Sequence, residues 1–335
     1  MDAHQQRQQE IDDWLRTLLP GRPFTLAPAS ADASFRRYLR ATFDDGETRV
    51  VMDAPPSHED VKPWLHVQQL FRDAGTHVPE VYATDLARGY LLLSDLGSTT
   101  YLADLSDANA DAHYRAALDA LIRIQLASKP DQLPPYDRVL LKRELDLFPD
   151  WYLAKHVKVS LTESQSSQLA TVFEQIMAVN LAEPSVYVHR DYHSRNLMVT
   201  RPNPGIIDFQ DAVYGPITYD LASLFKDAYI HWPEERVLDW LVRYWQAARK
   251  AGLPVRADFG DFFRDYEWMG VQRHVKVLGI FARLYHRDGK DGYLKDMPLV
   301  ARYLRNACER YRELAPLLRI LDLVENRAAQ VGYTF

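Results

Sequence analysis

Cysteine is almost absent from this chain of 335 residues, which contains only Cys308. A single cysteine excludes an intrachain disulfide and a multi-cysteine zinc site, and such scarcity is typical of proteins in a reducing compartment. No apolar run reaches the roughly 18–20 residues that a membrane helix requires. The polar start MDAHQQRQQE lacks the pattern of a secretory signal. These absences predict a cytoplasmic protein without a membrane span, in which Cys308 belongs to the core.

An excess of positive charge is also missing, because 40 Lys and Arg stand against 46 Asp and Glu, for a net charge of −6. A chain this acidic lacks the charge excess of a non-specific nucleic-acid binder. Hydrophobic residues make up 47% of the sequence, an ordinary fraction that excludes a disordered or fibrous protein. The length predicts two domains of about 150 residues, or one large bilobal unit.

Residues 1–97 are predicted to form a small β-sheet lobe with one covering helix. Apolar spacing indicates helices near residues 11–18 and 58–74, and short strands are predicted at 24–26, 37–43, 48–52, 78–83 and 90–94. The dipeptide Asp45-Gly46 is a strong hairpin signal between the second and third strands, because glycine tolerates the positive φ of such turns.

Residues 98–335 are predicted to form a larger, mostly helical lobe. Three-to-four spacing of apolar residues indicates helices near 111–128, 162–180, 216–230, 234–251, 260–286 and 298–330, with strand-like residues at 186–189, 196–200 and 205–209. A Pro-Asn-Pro-Gly turn at 202–205 joins the last two strands as a hairpin. The predicted fold class is therefore α+β, with a sheet lobe followed by a helical lobe.

Three polar residues that phosphoryl transfer requires bracket this hairpin. Asp191 and Asn196 lie five apart in the loop HRDYHSRN (189–196), and Asp208 ends the returning strand. We expect the folded hairpin to bring the three side chains to the same end. One carboxylate would accept the proton of an acceptor hydroxyl, while an amide oxygen and a second carboxylate hold magnesium against a nucleotide triphosphate. The spacing H-R-D-x-x-x-x-N is a signature of protein-kinase catalytic loops.

Simpler interpretations exist for other polar residues of this region. His189 and His193 are four residues apart, a spacing that would suit a zinc pair on a helix. They fall on a strand end and a loop instead, so a structural role is predicted. Asp220 opens a predicted helix and could cap it. Alternatively, its carboxylate accepts backbone N–H groups of the loop and fixes Asp191, and both interpretations can hold together.

The loop and hairpin resemble those of the aminoglycoside phosphotransferase family, which includes choline and fructosamine kinases and has a protein-kinase-like bilobal fold. Within that family the chain looks most like the amino-sugar kinases that phosphorylate C1, on the strings DASFRRY (32–38), VMDAPP (51–56), ELDLFPDWY (144–152) and QRHVKVLG (272–279). The resemblance covers essentially the whole chain. It implies an ATP-dependent and Mg²⁺-dependent kinase acting on N-acetylmuramate or N-acetylglucosamine in cell-wall recycling. We also expect a monomer.

The resemblance also implies roles for individual residues. Asp191 would be the catalytic base, Asn196 and Asp208 would bind Mg²⁺, and His189 and Asp220 would support the loop. A hinge at the junction of the lobes would bind the adenine, and it is formed by Ser94, Asp95 and Leu96. A loop that closes over the phosphates would be formed by Ser34, Phe35 and Arg36.

Two features of the family are missing from the nucleotide lobe. The loop at residues 31–35 contains no glycine, although its backbone N–H groups and the Ser34 hydroxyl remain available. The lysine that normally contacts the phosphates from the third strand is replaced by Met52 or Asp53. The missing positive charge would then come from one of the cations Arg36, Arg37 or Lys62.

The predicted helix 260–286 carries candidates for binding the acceptor. Arg273 and Lys276 lie beside its apolar stripe, and His274 lies at the edge of that stripe. The spacing alone favours a solvated charged face. The alternative is a cationic wall for an anionic acceptor such as the lactyl carboxylate of N-acetylmuramate. Trp151 is a candidate for stacking on a sugar ring.

Two other functions remain open on the sequence. One is another small-molecule kinase of the same family, with an aminoglycoside, choline or fructosamine as acceptor. The other is a pseudokinase that binds nucleotide without catalysis, which the missing third-strand lysine favours. The intact set of Asp191, Asn196 and Asp208 argues against the pseudokinase.

Overall fold

The computed structural model of the protein describes residues 3–30 and 36–325. Contacts within the chain divide it into two units. The first comprises Met1–Asp104 and Leu197–Asp211, and the second comprises Leu105–Asn196 and Ala212–Phe335. Within the described ranges, no helix is long and apolar enough to cross a membrane.

The first unit contains a sheet of five strands, each antiparallel to its neighbours. Its elements are α1 (Ala3–Leu18), β1 (Phe24–Ser30), β2 (Arg37–Phe43), β3 (Thr48–Asp53), α2 (Lys62–Asp73), β4 (Val81–Asp85), β5 (Tyr90–Ser94) and the short α3 (Tyr101–Asp104). The strand order is β1-β2-β3-β5-β4. Strands β2 and β3 form the predicted hairpin, and Gly46 in its turn has a φ of 83° that favours glycine.

Apolar side chains of α1 cover one face of this sheet. Ile11, Trp14 and Leu15 follow the helical spacing i, i+3, i+4, which places them on the same side of the helix. They are buried in one cluster with strand residues that share a face, namely Leu39, Ala41, Phe43, Val51, Tyr90 and Leu92. The helix begins at Ala3, well before its first buried apolar residue. The side chains of its first turns are polar, so apolar spacing could not predict this start.

Four short strands follow in the chain, β6 (Ser185–Val188), β7 (Leu197–Met198), β8 (Gly205–Ile206) and β9 (Val213–Pro216). Strand β6 pairs with β9, and β7 pairs with β8 in the predicted hairpin. The sequence predicts a boundary after residue 97 and assigns this hairpin to the helical lobe, whereas the hairpin lies in the first unit. The reason is backbone pairing, since the N–H of Val199 donates to the carbonyl of Thr99 (2.9 Å) and that of Ile206 donates to His77 (2.8 Å).

The second unit is mostly helical. Its helices are α4 (Ala110–Leu126), α5 (Arg138–Leu145), a π-helix (Phe148–His156), α6 (Glu163–Leu181), α7 (Tyr219–Phe225), α8 (Glu234–Lys250), α9 (Phe259–Asp288), α10 (Met297–Arg310) and α11 (Ala315–Val324), besides two 3₁₀ turns. The predicted helix over 298–330 is divided at Tyr311, which has extended backbone, and α11 restarts with proline in its first turn. Helix α5 and the π-helix lie where the sequence predicts no helix.

A glycine in α9 allows close packing against the segment that links α5 to the π-helix. A Cβ atom on Gly279 would lie 2.5 Å from the backbone carbon of Leu147, so any larger residue would push the two segments apart. This packing brings together two of the strings that carry the resemblance, residues 144–152 and 272–279. It thereby places the charged residues of α9 beside the end of α5.

Glu183, which precedes β6, gives the protein a predicted pH dependence. Its side chain is buried, and its Oε2 atom accepts bonds from the backbone N–H (3.1 Å) and hydroxyl (2.7 Å) of Thr218. Burial and the nearby Asp265 carboxylate raise the pKa of Glu183 more than the Thr218 hydrogen bonds and Arg256 lower it, and the result is a pKa of about 8. Because the folded state then holds a proton that the unfolded state releases above about pH 4.5, stability falls as pH rises from there to about 8.

We therefore expect the unfolding free energy of the Glu183→Gln variant to fall less than that of the wild-type protein as the pH rises from 5 to 8. Glutamine keeps an oxygen for Thr218 and carries no charge to bury. Thermal unfolding of both proteins across this range measures the difference. Identical pH slopes would contradict the assignment.

Candidate active site

The loop that follows β6 holds Asp191 through its own backbone. The N–H of Asp191 donates to Nδ1 of His189 (3.2 Å), and Nδ2 of Asn196 donates to the carbonyl of Asp191 (3.0 Å). Arg190 adopts a φ of 75°, which is unfavourable for a residue other than glycine. The side chain of Asp191 remains 41% exposed. The loop therefore presents this carboxylate to an incoming molecule.

Asp220 in the first turn of α7 binds this loop. Its Oδ2 atom accepts the N–H of His189 (2.7 Å), and its Oδ1 atom accepts the N–H of Arg190 (3.1 Å). The loop thus occupies both oxygens, as the second interpretation of Asp220 predicts. Burial raises the pKa of Asp220 to about 7, while the two backbone N–H groups lower it.

Asp227 is a second anchor of the loop, and no sequence pattern singles it out. This carboxylate is buried and accepts the N–H of Ser194 and the N–H of Tyr229, each at 3.0 Å. It lies after the end of α7 and ties the second half of the loop to the segment that follows this helix. Together, Asp220 and Asp227 fix the backbone on both sides of Asp191.

Arg273 of α9 contacts the loop directly. Its Nη1 atom donates to the carbonyl of Arg190 (2.7 Å), and its Nη2 atom lies 3.5 Å from Oδ1 of Asp191. Arg273 and Lys276 are both buried, so the solvated charged face that the spacing favours is wrong. Partial loss of solvent would raise the pKa of Asp191, but the charges of Arg273 and Lys276 hold it well below its usual value. Asp191 is therefore ionised at neutral pH.

Glu144 at the end of α5 neutralises two buried cations. Its Oε1 atom lies 2.5 Å from Nη2 of Arg190 and 3.0 Å from Nζ of Lys276. Its Oε2 atom accepts hydrogen bonds from the Tyr136 hydroxyl and from Nε2 of Gln272. Burial raises the pKa of Glu144, but the two cations outweigh it and lower the value to about 2. Glu144 and its four partners Arg190, Lys276, Tyr136 and Gln272 form the Glu144 cluster. Because this cluster holds the side chain of Arg190, it stabilises the loop to which Arg190 belongs.

The remaining acceptor candidates lie elsewhere in the second unit. His274 is buried and stacks on Tyr303, with ring centroids 5.3 Å apart. Burial holds its pKa well below the usual value, so this imidazole is neutral. Trp151 in the π-helix has the Nζ atom of Lys155 3.7 Å above its ring. Neither side chain contacts the loop among the described residues, and their role in binding an acceptor stays a prediction.

The hinge residues predicted to bind the nucleotide lie at the end of β5. The Ser94 hydroxyl accepts the N–H of Glu80 (2.8 Å), and Leu96 is buried. Asp95 pairs with Arg40 at 2.5 Å, and it accepts the N–H of Gly97 at 2.9 Å. These contacts tie the segment to β2 and to the residue that precedes β4. Ser34 and Phe35 lie outside the described residues, and the neighbouring Arg36 is half-buried.

Two arginines surround Asp53, one of the two residues, Met52 and Asp53, that the sequence offers in place of the family's phosphate-binding lysine. The Asp53 side chain is fully buried, and it accepts bonds from Nε of Arg7 (2.7 Å) and Nε of Arg37 (2.9 Å). The cluster carries one net positive charge, because two guanidiniums face one carboxylate. The charge of Asp53 is therefore neutralised within the first unit, and Arg37 on the adjacent strand β2 supplies a cation.

Asp208 follows β8, two residues after the hairpin partner of Leu197. It adopts a φ of 63°, and its Oδ1 atom accepts a bond from Nε2 of Gln210 (2.9 Å). The next residue, Phe209, is buried against Trp64 of α2, with ring centroids 5.1 Å apart. Packing of Phe209 thus fixes the backbone that carries Asp208.

The donor chemistry of Asn196 and Asp208 fits magnesium. Mg²⁺ prefers hard oxygen ligands, and it usually binds through one or two protein groups together with substrate phosphates and water. An amide oxygen and a carboxylate meet this preference. Among the described residues, no group of three or more His, Cys, Asp or Glu is arranged to hold a metal by itself.

The sequence is similar to those of known phosphotransferases. Residues 25–259 match the model of the APH phosphotransferase enzyme family. The chain is 50% identical to the N-acetylmuramate/N-acetylglucosamine kinase of Neisseria meningitidis serogroup B, over 98% of this chain and 100% of that protein. It is 49% identical to the protein of the same name from Pseudomonas aeruginosa, over 94% of this chain and 96% of that one.

Solved structures with a similar fold are much more distant in sequence. A choline/ethanolamine kinase family protein from Mesorhizobium loti has a TM-score of 0.64 at 16% identity, covering 93% of this chain and 99% of that one. An amicoumacin kinase in complex with AMP-PNP and Ca²⁺ has a TM-score of 0.61 at 13% identity, covering 92% and 96%. These likenesses confirm the kinase-like α+β fold.

Proposed function

Because the chain belongs to the APH phosphotransferase enzyme family, we propose that it transfers the γ-phosphoryl group of ATP to the C1 hydroxyl of N-acetylmuramate and N-acetylglucosamine. The observation that carries this substrate is the 50% identity, over nearly the full length of both chains, to a kinase named for these two sugars. Family membership already implies a phosphotransferase with a nucleotide donor. Beyond this, we propose an amino sugar as the acceptor and its C1 hydroxyl as the position of transfer.

Asp191 is proposed as the base that receives the acceptor proton. The acceptor oxygen forms a bond to the γ-phosphorus, the bond from that phosphorus to the β,γ-bridging oxygen breaks, and the proton passes from the hydroxyl to the Asp191 carboxylate. Since Arg273 keeps this carboxylate ionised, it accepts a hydrogen bond from the hydroxyl before transfer. A weak base of this kind takes the proton late, which suits the loose transition state of phosphoryl transfer.

The anomeric hydroxyl fits this weak base. A hemiacetal hydroxyl is more acidic than an ordinary alcohol, because the ring oxygen withdraws electrons from C1. Its proton therefore passes to a carboxylate of low pKa more readily than the proton of another sugar hydroxyl. The greater acidity of the anomeric hydroxyl therefore supports transfer to C1.

Asn196 and Asp208 are proposed to hold Mg²⁺, which would neutralise charge on the triphosphate. Asn196 directly precedes β7 and Asp208 follows β8, so the two residues flank one hairpin in the chain. The Asp208 backbone is fixed by Phe209, and the Asn196 amide is oriented by its bond to the Asp191 carbonyl. Both ligands are thus held by their neighbours in the chain.

The surroundings of the loop favour a neutral or anionic acceptor over a cationic one. Arg190 lies in the loop, Arg273 approaches Asp191, and Lys276 shares the carboxylate of Glu144 with Arg190. An aminoglycoside or choline carries positive charge, which these cations would repel. We further propose that the enzyme acts as a cytoplasmic monomer in the recycling of cell-wall sugars, where free amino sugars and ATP occur together.

An acceptor panel tests the proposal. Purified protein with Mg²⁺ and ATP is incubated with N-acetylmuramate, N-acetylglucosamine, choline, a fructosamine and an aminoglycoside, and ADP release is measured. We expect kcat/KM for the two amino sugars to exceed that for the others by at least about 100-fold, equivalent to about 3 kcal/mol. Preference for a cationic acceptor would contradict the substrate, and no ADP release with any acceptor would support the pseudokinase.

A further inference from the structure

Arg195 differs from Arg190 and Arg273, the other arginines near Asp191, because its guanidinium contacts aromatic rings but makes no hydrogen bond within the described residues. It lies four residues after Asp191 in the same loop, half-buried, with its Cζ atom 3.6 Å from the ring centroid of Tyr229. In contrast, the guanidinium of Arg190 binds Glu144, and that of Arg273 donates to the backbone carbonyl of Arg190. Among the described residues, Arg195 has ring contacts but neither a hydrogen bond nor an ion pair.

Another polar group near Arg195 also lacks a partner. Nδ1 of His193 is buried and has no hydrogen-bond partner among the described residues. The carboxylate of Asp296 also faces this region, where burial raises its pKa and the charge of Arg195 lowers it. The ring of His193 lies 5.4 Å from that of Tyr229, and Tyr293 lies 6.0 Å from the Arg195 guanidinium. Folded proteins rarely leave buried polar atoms unpaired. The Arg195 guanidinium and Nδ1 of His193 therefore mark a place where a polar ligand would supply missing partners.

Arg195 belongs to the same loop as the reacting carboxylate, four residues after Asp191. The charges of Asp191 and Arg195 both act on the imidazole of His193, which lies between them in the chain. Tyr229 contacts His193 and Arg195 with its ring, and its backbone N–H is fixed by Asp227. A tyrosine that is held in this way keeps the plane of the guanidinium in one orientation.

We propose that Arg195 binds the carboxylate of an acidic acceptor and so distinguishes N-acetylmuramate from N-acetylglucosamine. The guanidinium presents parallel N–H donors that match a carboxylate, and its contact with Tyr229 leaves these edge donors available. Arg273 and Lys276, which the sequence offers for this role, already bind the loop carbonyl and Glu144. The inference rests on the proposed function, because it needs both sugars as acceptors.

The Arg195→Gln variant tests this role in steady-state kinetics with each sugar. We expect KM for N-acetylmuramate to rise by about 10- to 100-fold, as for the loss of a hydrogen bond between charged groups. KM for N-acetylglucosamine and for ATP, and kcat with N-acetylglucosamine, should change by less than about 3-fold. Arg195→Lys keeps the charge without the paired donors and should give an intermediate KM.

Arg249→Gln is the matched control, because Arg249 also lies over an aromatic ring, 4.8 Å from the centroid of Trp245, but on the exposed side of α8. This variant should leave both sugars unaffected. Activity with N-acetylglucosamine reports that Arg195→Gln is folded. Equal losses with both sugars, or no change with either, would overturn the proposal.

A binding measurement separates this inference from the proposed function. Calorimetric titration of N-acetylmuramate into the wild-type protein and Arg195→Gln, without nucleotide, does not depend on turnover. A Kd at least about tenfold weaker in the variant supports the role of Arg195, and equal affinities overturn it. If the wild-type protein phosphorylates neither sugar, the proposed function fails, while the titration still decides whether Arg195 binds the carboxylate.

Discussion

The Asp191→Asn variant is expected to lose about 10²- to 10⁴-fold in kcat, the range that a positioned general base contributes. Asparagine has the same shape, and the backbone bonds of this residue to His189 and Asn196 do not involve its side chain. The amide cannot accept the proton of the acceptor hydroxyl at neutral pH. The loss should therefore fall on kcat, with KM for ATP changed little.

Steady-state kinetics with N-acetylglucosamine and thermal unfolding together measure this effect. The control is Asp119→Asn, which removes the same charge from the exposed face of α4 and should leave kcat unchanged. Near wild-type turnover by Asp191→Asn would show that another group takes the proton. A large drop in melting temperature would instead indicate that the pairing with Arg273 is mainly structural.

The Glu144→Gln variant is expected to lose about 3–5 kcal/mol of unfolding free energy, the typical result of removing one partner of a buried ion pair. Arg190 and Lys276 would both lose their carboxylate in a buried setting, since Lys276 is only 5% exposed. Denaturant unfolding at neutral pH measures the loss. Because the same change releases the side chain of Arg190, kcat should fall as well.

Asp146→Asn, two residues further along the chain, is the matched control for Glu144→Gln. Asp146 pairs with Lys142 at 2.6 Å, but its side chain is 39% exposed, so its loss should cost at most about 1 kcal/mol. Equal losses in both variants would contradict the importance of burial. The pKa of Glu144 is lowered to about 2 from an ordinary 4.5. Its contribution is therefore complete above about pH 4.5 and is lost as the pH falls towards 2.

The fold and the loop could be predicted from the sequence because their signals are local. The Asp45-Gly46 turn, the apolar spacing of α1 and the strand–loop–hairpin order around Asp191 each lie within a few consecutive residues. The hydrogen bonds of Asp220 to the loop follow from the same local reasoning, since this residue starts the next helix. Such patterns depend little on the rest of the chain.

The charge network around the loop could not be predicted in this way. Glu144, Arg190 and Lys276 are distant in the sequence, and they meet only because Gly279 lets α9 approach the end of α5. Charged residues beside an apolar helical stripe are usually solvated, so Arg273 and Lys276 gave no signal of burial. The same limit applies to Asp53, whose two arginine partners come from α1 and β2.

The position of the phosphate on the product tests the central claim most directly. The product of N-acetylglucosamine and ATP is isolated, and its phosphorus–proton couplings are measured by NMR. We predict that the phosphorus couples to the proton on C1 and that the reducing end is no longer free to interconvert between anomers. Coupling to the protons on C6, or a free reducing end, would contradict transfer to the anomeric hydroxyl.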